Sequence, residues 1–271
     1  LLNEVLKDEW GFDGFVMSDF VWGVKDTVEA ANGGQDLEMC WTKFYGENLV
    51  KAVRDGHVAE EKVDEAALRI VRTVLAFTEA DNEAYDKSII GCKEHVSLAQ
   101  EVAEKGITLI KNDNDTLPFN REKALRIAVL GQLADKGNIG DYGSSRVFPE
   151  YIVTPLEGIA NLAPNSQVIY YNGDDIEHAK KVASSVDAVL FVVGYNHSDE
   201  GEFVSAEQME GDMAGVGGDR IHSLGLHEAE IKLINEVGPV NNNSVAVLIG
   251  GNMIMIDEWK DSVSAILMAY Y

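Results

Sequence analysis

Ala188-Val189-Leu190-Phe191-Val192-Val193 is an unbroken apolar run with no polar alternation. A strand covered on both faces reads this way, and cover on both faces marks a parallel sheet flanked by helices. The same signature returns at Ile127-Ala128-Val129-Leu130, Val168-Ile169-Tyr170-Tyr171, Val245-Ala246-Val247-Leu248-Ile249 and Ile266-Leu267-Met268. Helical patterns lie between them, around Ile176 to Val186 and Leu226 to Val237. Strands separated by helices in this order imply right-handed crossovers and a mostly parallel, doubly wound α/β sheet. Just upstream, a helix from His95 through Ala103 ends at Gly106, and Ile107-Thr108-Leu109-Ile110 comes next as a strand.

The beginning of the chain reads as a separate α/β piece. Leu2, Val5 and Leu6 recur at helical spacing, Gly11 ends the turn, and Phe15-Val16-Met17 is a short apolar run suited to a covered strand. Gln35-Asp36-Leu37-Glu38-Met39 is a second short strand candidate whose acids sit oddly for a core. Leu49, Val50 and Val53 lie on a short helix closed by Asp55-Gly56. Val63, Ala67, Ile70, Val71, Val74 and Leu75 then keep the period of an amphipathic helix docked on a sheet. Between Thr78 and Lys87 the composition turns polar and acidic. The expected organisation is therefore a first segment over 1–77, a linker over 78–93 and a second α/β domain over 94–271. The opening on Leu1 and the apolar close at Ala265 to Tyr271 read as a fragment, so the missing leader says nothing of localisation.

Composition narrows the class of function. Of 271 residues, 46 are acidic and 22 basic, for a formal charge of −24, a surface that repels phosphate backbones and anionic lipid headgroups. Nucleic acid is a poor partner for it. The longest apolar run, Val245 to Ile256, is broken by Gly250, Gly251 and Asn252 and falls short of the ~18 residues that span a bilayer. Cys40 and Cys92 are too far apart for a CxxC pair, which leaves a disulfide scaffold or zinc ribbon unsupported.

Two places carry chemistry. Phe15-Val16-Met17-Ser18 runs straight into Asp19, so Asp19 stands at the carboxyl end of a parallel strand, the edge where α/β sheets do chemistry. Ser18, Phe20 and Trp22 beside it suit positioning and an apolar wall for a sugar. A turn cap explains an Asp there equally well, and on spacing alone both readings stay open. The second place is the connection from Tyr195 to Gly225, about thirty residues where about 2–6 are usual. It holds Asp199, Glu200, Glu202, Glu207, Glu210, Asp212 and Asp219, with Arg220 set to pair with Asp219. A glutamate crowded by carboxylates has its proton affinity raised, which suits a general acid; an acidic loop exposed to water is the plain alternative. Carboxylates on two elements are the minimum equipment for glycoside hydrolysis.

Several motifs resemble glycoside hydrolase family 3. Gly11-Phe12-Asp13-Gly14-Phe15-Val16-Met17-Ser18-Asp19-Phe20 is similar to the nucleophile segment of that family, and Ala30-Ala31-Asn32-Gly33-Gly34-Gln35-Asp36-Leu37-Glu38-Met39 to the family's next segment. Lys105 to Asn112, Leu117-Pro118, Gly143-Ser144-Ser145-Arg146 and Thr154 to Ile159 continue the match in order. Asp199-Glu200-Gly201-Glu202 and Gly218-Asp219-Arg220 resemble the acid/base region. The resemblance implies the C-terminal piece of a (β/α)8 barrel followed by a mostly parallel αβα sandwich, with the active site between them. It implies Asp19 as nucleophile, Glu200 as acid/base with Glu202 the runner-up, and substrate contacts from Phe20, Trp22 and Arg220. Phe20 stands where the family often has Trp, which loosens the stacking assignment. Ser145 and Arg146 reach toward the site from their loop or serve only as a turn. The implied substrate is a β-linked oligosaccharide or aryl glycoside, β-glucoside ahead of β-xyloside, with no cofactor and no metal. Most of a barrel is absent from the chain, so the fragment alone is expected to be inactive.

Two other classes fit less well. A nucleotide-binding oxidoreductase would want GxGxxG after Leu130, but Gly131, Gly137, Gly140 and Gly143 lack that spacing. A non-catalytic carbohydrate-binding or regulatory module would tolerate loss of Asp19 or Glu200. The six histidines show no ligand spacing for a metal.

Overall fold

In the computed structural model, which describes residues 1–80, 86–120, 122–202, 217–220 and 223–271, the chain divides into two units, Leu1–Asp86 and Lys87–Tyr271. Side chains are described for the same residues except 79 and 80.

The first unit opens on wide helical turns over Leu2–Glu9. Phe15 to Ser18 and Asp36 to Met39 run extended and parallel, joined by the Ser18 N–H to the Leu37 carbonyl (2.9 Å) and the Leu37 N–H to the Val16 carbonyl (3.1 Å). The two expected strands thus shrink to a bridge between Met17 and Leu37, each lacking a second neighbour among the described residues. A helix that the apolar period does not announce, α1 (Thr27–Gly33), begins after Asp26, whose carboxylate caps it by accepting the Val28 and Glu29 N–H groups at 2.8 Å. Helices α2 (Glu47–Arg54) and α3 (Glu60–Ala80) complete the unit. Its core is small: Ala31, Ala52 and Val58, lined by Val28, Tyr45, Leu49 and Val53. The expected docking of α3 on a sheet fails along its second half, where Val71, Val74 and Leu75 stand 52–53% exposed. One bridge offers no sheet for that stripe to cover.

The acids that sat oddly in the second strand have partners. Asp36 is buried and paired with Lys7, Nζ to Oδ1 at 2.7 Å, while its Oδ2 accepts the Val16 N–H at 2.7 Å. Glu38 accepts the N–H groups of Lys43, Phe44 and Tyr45, fixing the loop ahead of α2. Burial, with Asp36 and Glu38 nearby, pushes the Tyr45 hydroxyl up to about 12.

The second unit contains, in chain order, α4 (Lys93–Gly106), β1 (Thr108–Asn112), β2 (Arg126–Leu130), α5 (Pro155–Leu162), β3 (Gln167–Tyr171), α6 (Ile176–Ser184), β4 (Ala188–Gly194), the single turn α7 (His197–Glu200), α8 (Glu228–Val237), β5 (Ser244–Ile249) and β6 (Ala265–Met268). The strands form one sheet in the order β1-β6-β5-β4-β2-β3. Four neighbouring pairs are parallel, and only β1 runs antiparallel, against β6. Strand β4 lies inside the sheet and is buried throughout. Its Val189, Phe191 and Val193 face α6 and α8, against Ala179, Ala183, Leu233, Ile234 and Val237. Its Leu190 and Val192 face the other side, with Val129, Leu133 and Ala134, bordered by Leu156 and Ile159 of α5. Burying one such side chain stabilises the fold by roughly 1.5–3 kcal/mol, so the alternation along β4 holds both layers. Helix α5 escapes the periodicity reading but carries a capping box: Thr154 accepts the Glu157 N–H and Glu157 accepts the Thr154 N–H.

Strand β4 ends at Gly194, where φ is +134° and a Cβ would stand 1.9 Å from the Ile249 carbonyl oxygen. Only glycine lets the chain leave β4 this close to the end of β5. The loops after β4 and β5 therefore start side by side, at the carboxyl edge of the sheet.

Candidate active site

Asp19 directly succeeds the bridged segment of the first unit. Ser18 before it is buried, donates its N–H to Leu37, and accepts the Met39 N–H on its hydroxyl at 2.9 Å. The backbone turns at once: Asp19 Oδ1 accepts the Phe20 N–H at 2.7 Å, Val21 takes a left-handed φ of +64°, and the Gly23 N–H returns to the Asp19 carbonyl at 3.3 Å. The carboxyl is thus presented to solvent from an anchored base. Phe20 and Trp22 are both exposed beside it, with the Lys25 ammonium 5.3 Å from the Trp22 ring centre. The geometry contains the turn cap and the exposed carboxylate together.

Glu200 ends α7, immediately past the end of β4. Asn196 and Asp199 form a capping box around this turn, with Asn196 Oδ1 accepting the Ser198 N–H and Asp199 Oδ2 the Asn196 N–H. The Glu200 carboxyl then points toward the β5 end. Its Oε1 accepts the Gly251 N–H and the Tyr271 O–H, both at 2.5 Å, and its Oε2 lies 2.9 Å from Arg220 Nε. Arg220 is itself fixed, donating from Nη2 to the Met253 carbonyl and lying 4.1 Å from the Tyr195 ring centre. Two expectations are corrected. Arg220 pairs with Glu200, not with its neighbour Asp219, because its guanidinium is drawn over Tyr195 at the sheet edge. Among the described residues, Glu200 is surrounded by a cation and two donors and not by carboxylates. Burial and the Glu200 carboxylate raise the proton affinity of Tyr271 far above that of a free tyrosine.

These groups line a cleft of about 370 Å³ formed with Gly218, Asp219, Leu224 and Asn252. The glycines are part of the fit: a Cβ on Gly251 would meet the Tyr271 ring at 2.8 Å. Tyr271 and Gly251 were not singled out from sequence, although Gly250-Gly251 interrupting the apolar run was the available signal.

Glu202 lies elsewhere. It is exposed, and its Oε2 accepts the Ser144 N–H at 2.6 Å and the Ser144 hydroxyl. Asp141 accepts the Glu202 N–H at 2.8 Å on one oxygen and the Ser145 hydroxyl at 3.0 Å on the other. Burial works against its charge, but these bonds outweigh it and hold the Asp141 carboxyl below its usual range. Arg146 stacks between Tyr142 and Phe148, at 4.8 and 4.7 Å. The loop from Asp141 to Arg146 therefore seats the Glu202 side of the arm. Glu207, Glu210, Asp212 and His222 lie outside the described residues.

Behind the turn, His227 Nε2 sits 3.1 Å from Asp199 Oδ1, and Glu230 Oε1 accepts the Gly194 N–H at 3.1 Å. Burial pushes the Glu230 carboxyl up to about 7.

Residues 107–271 match the Glycosyl hydrolase family 3 C-terminal domain and residues 1–73 its N terminal domain. The whole chain aligns at 32% identity with 34% of the Thermostable beta-glucosidase B of Acetivibrio thermocellus, and at 28% identity with 40% of a Beta-xylosidase of Formosa agariphila. It superposes with a TM-score of 0.75, at 27% identity, on 38% of the GH3 beta-glucosidase of Bifidobacterium adolescentis, again over its full length. The chain thus spans little more than a third of the length of these relatives.

Proposed function

We propose, from the premise that this chain belongs to glycosyl hydrolase family 3, that it carries the two working carboxylates of a retaining, exo-acting β-glycosidase of β-glucosidase type. Residues 1–77 are the closing part of the (β/α)8 barrel, 78–93 the linker and 94–271 the sandwich domain. Asp19 is the nucleophile: its carboxylate attacks the anomeric carbon as the bond to the leaving oxygen breaks, giving a glycosyl ester. Glu200 is the acid/base. It delivers its proton to the departing oxygen, then takes one from the water that displaces Asp19, and configuration is retained. Phe20 and Trp22 offer faces for the sugar, and Arg220 orients Glu200 as well as the sugar. The substrate is a terminal β-linked sugar of an oligosaccharide or an aryl glycoside.

The observation that carries this reading is the seat of Glu200. Among the described acids of the long connection it is the one recessed in a cleft and aimed by three separate groups, whereas Glu202 is tied to Ser144 on the exposed side. A general acid needs a fixed direction more than it needs acidic neighbours. Glucose leads because the relatives named above include beta-glucosidases; the Beta-xylosidase among them supports xylose as the second reading.

The 271-residue chain by itself is inactive on this reading, since the described residues of its first unit form one strand bridge and leave an apolar stripe uncovered on α3. The test is therefore made in a complete enzyme carrying this segment. Asp19→Ala abolishes hydrolysis of an aryl β-glucoside, and azide restores turnover to give the α-glycosyl azide. Full activity of Asp19→Ala overturns the assignment.

A further inference from the structure

The turn that carries Glu200 is not held only by its own caps. Asp199, the residue before it, uses Oδ2 to close the capping box and Oδ1 to meet His227, the residue ahead of α8. The His227 ring packs edge-on against Tyr195, at 5.1 Å, and Tyr195 lies under Arg220. One turn along α8, Glu230 donates its N–H to the His227 carbonyl and grips the Gly194 N–H where β4 ends. Its other oxygen, Oε2, is buried without a hydrogen-bond partner. His227 and Glu230 thus hold both ends of the segment Gly194 to Glu200, and neither enters the chemistry described above.

We propose that His227 and Glu230 are positioning residues for Glu200, acting through Asp199 and Gly194, and that the charge Glu230 takes up in its buried seat sets the alkaline limit of proton delivery. The inference rests on reading Glu200 as the acid. The charged groups around Glu230 are Asp199 and His227 from the turn side, Asp174 across the cleft behind α8, and Lys232 on its own helix. Glu230 is neutral in acid and, because burial lifts its carboxyl to about 7, takes its charge near neutrality. That new anion faces Asp199. Its repulsion pushes the Asp199 carboxylate from its place between Asn196 and His227 as pH rises, and the turn carrying Glu200 loosens.

The experiment compares phenyl and 2,4-dinitrophenyl β-glucosides in a complete enzyme carrying this segment, since the second leaving group departs without a proton. Glu200→Gln serves as reference. His227→Gln is expected to lower kcat/KM about tenfold for the phenyl substrate and less than about twofold for the dinitrophenyl one, a split that a general packing defect does not produce. Glu230→Gln keeps an oxygen for Gly194 and moves the alkaline limb of kcat/KM for the phenyl substrate up by about one pH unit. Equal losses on both substrates in His227→Gln, or an unmoved alkaline limb in Glu230→Gln, overturn the proposal. If Glu200→Gln shows the split and His227→Gln does not, this inference falls alone. If Glu200→Gln shows none, the assignment of the acid falls and takes this inference with it.

Discussion

Arg220 Nε lies 2.9 Å from Glu200 Oε2, with only 6% and 8% of the two side chains exposed. A pair this dry is worth little against an apolar replacement of both partners, but removing one leaves an uncompensated charge. Arg220→Met is therefore expected to destabilise the chain by ~3 kcal/mol, and adding Glu200→Gln to recover part of that loss. Urea unfolding of the two single variants and the double variant measures the coupling. Additive losses would show that the two side chains do not depend on each other.

Lys7 and Asp36 form the corresponding pair in the first unit, each side chain 3% exposed. Lys7→Met strands the Asp36 carboxylate and is expected to cost ~3–5 kcal/mol. Asp36→Asn keeps an oxygen for the Val16 N–H but strands the Lys7 ammonium, so it is expected to destabilise as well. Limited proteolysis reads this locally: cleavage within residues 1–80 rises in Lys7→Met while the sheet of the second unit stays resistant.

Glu230 makes stability depend on pH in a definite direction. Its carboxyl titrates near 4.5 when unfolded and about 7 when folded, so the folded state favours the neutral form. No penalty exists below the unfolded value; it grows between the two values and is complete above about 7. The difference amounts to ~3 kcal/mol at most. Glu230→Gln is expected to match the parent near about pH 4 and to exceed it by ~1–3 kcal/mol near about pH 8.5. Thermal unfolding at the two pH values decides, and an equal gap at both removes Glu230 as the source.

Gly194→Ala replaces no ionisable side chain yet is expected to damage the site. A Cβ there would stand 1.9 Å from the Ile249 carbonyl oxygen, at a φ of +134° that alanine avoids. Separation of the β4 and β5 ends would cost several kcal/mol, ~3 or more, and displace both Glu200 and its partner Gly251. Circular dichroism with amide exchange at Tyr195 checks it; native protection of that amide would contradict the close packing of the two strand ends.

The parts of the fold legible in the sequence are those held by local forces. Val189 to Val193 and Val245 to Ile249 announce buried parallel strands because helices cover both faces, and no polar residue is tolerated there. Helix α1 buries only Ala31, so it has no apolar stripe to detect; Asp26 and Gly34 at its ends were the only signals. Phe15 to Met17 has the apolar character of a strand although, among the described residues, only Leu37 bridges to it. Asp19 and Glu200 are the candidates that motif and position single out. Their surroundings are not legible this way: Lys7 meets Asp36 across 29 residues and Tyr271 meets Glu200 across 71, contacts that no local pattern encodes. Charge adjacency also misled, since Arg220 turned from Asp219 to the glutamate that its seat over Tyr195 brought within reach.

The proposed reaction turns on a covalent bond between Asp19 and the sugar. A complete enzyme carrying this segment, treated with 2,4-dinitrophenyl 2-deoxy-2-fluoro-β-glucoside, accumulates the glycosyl ester because the fluorine slows both steps while the dinitrophenolate leaving group keeps the first one fast. Peptide mapping by mass spectrometry is expected to find the fluorosugar on the peptide around Phe15 to Phe20, attached at Asp19 and absent in Asp19→Asn. A label on another carboxylate, or release of dinitrophenol with no covalent adduct, would contradict the account.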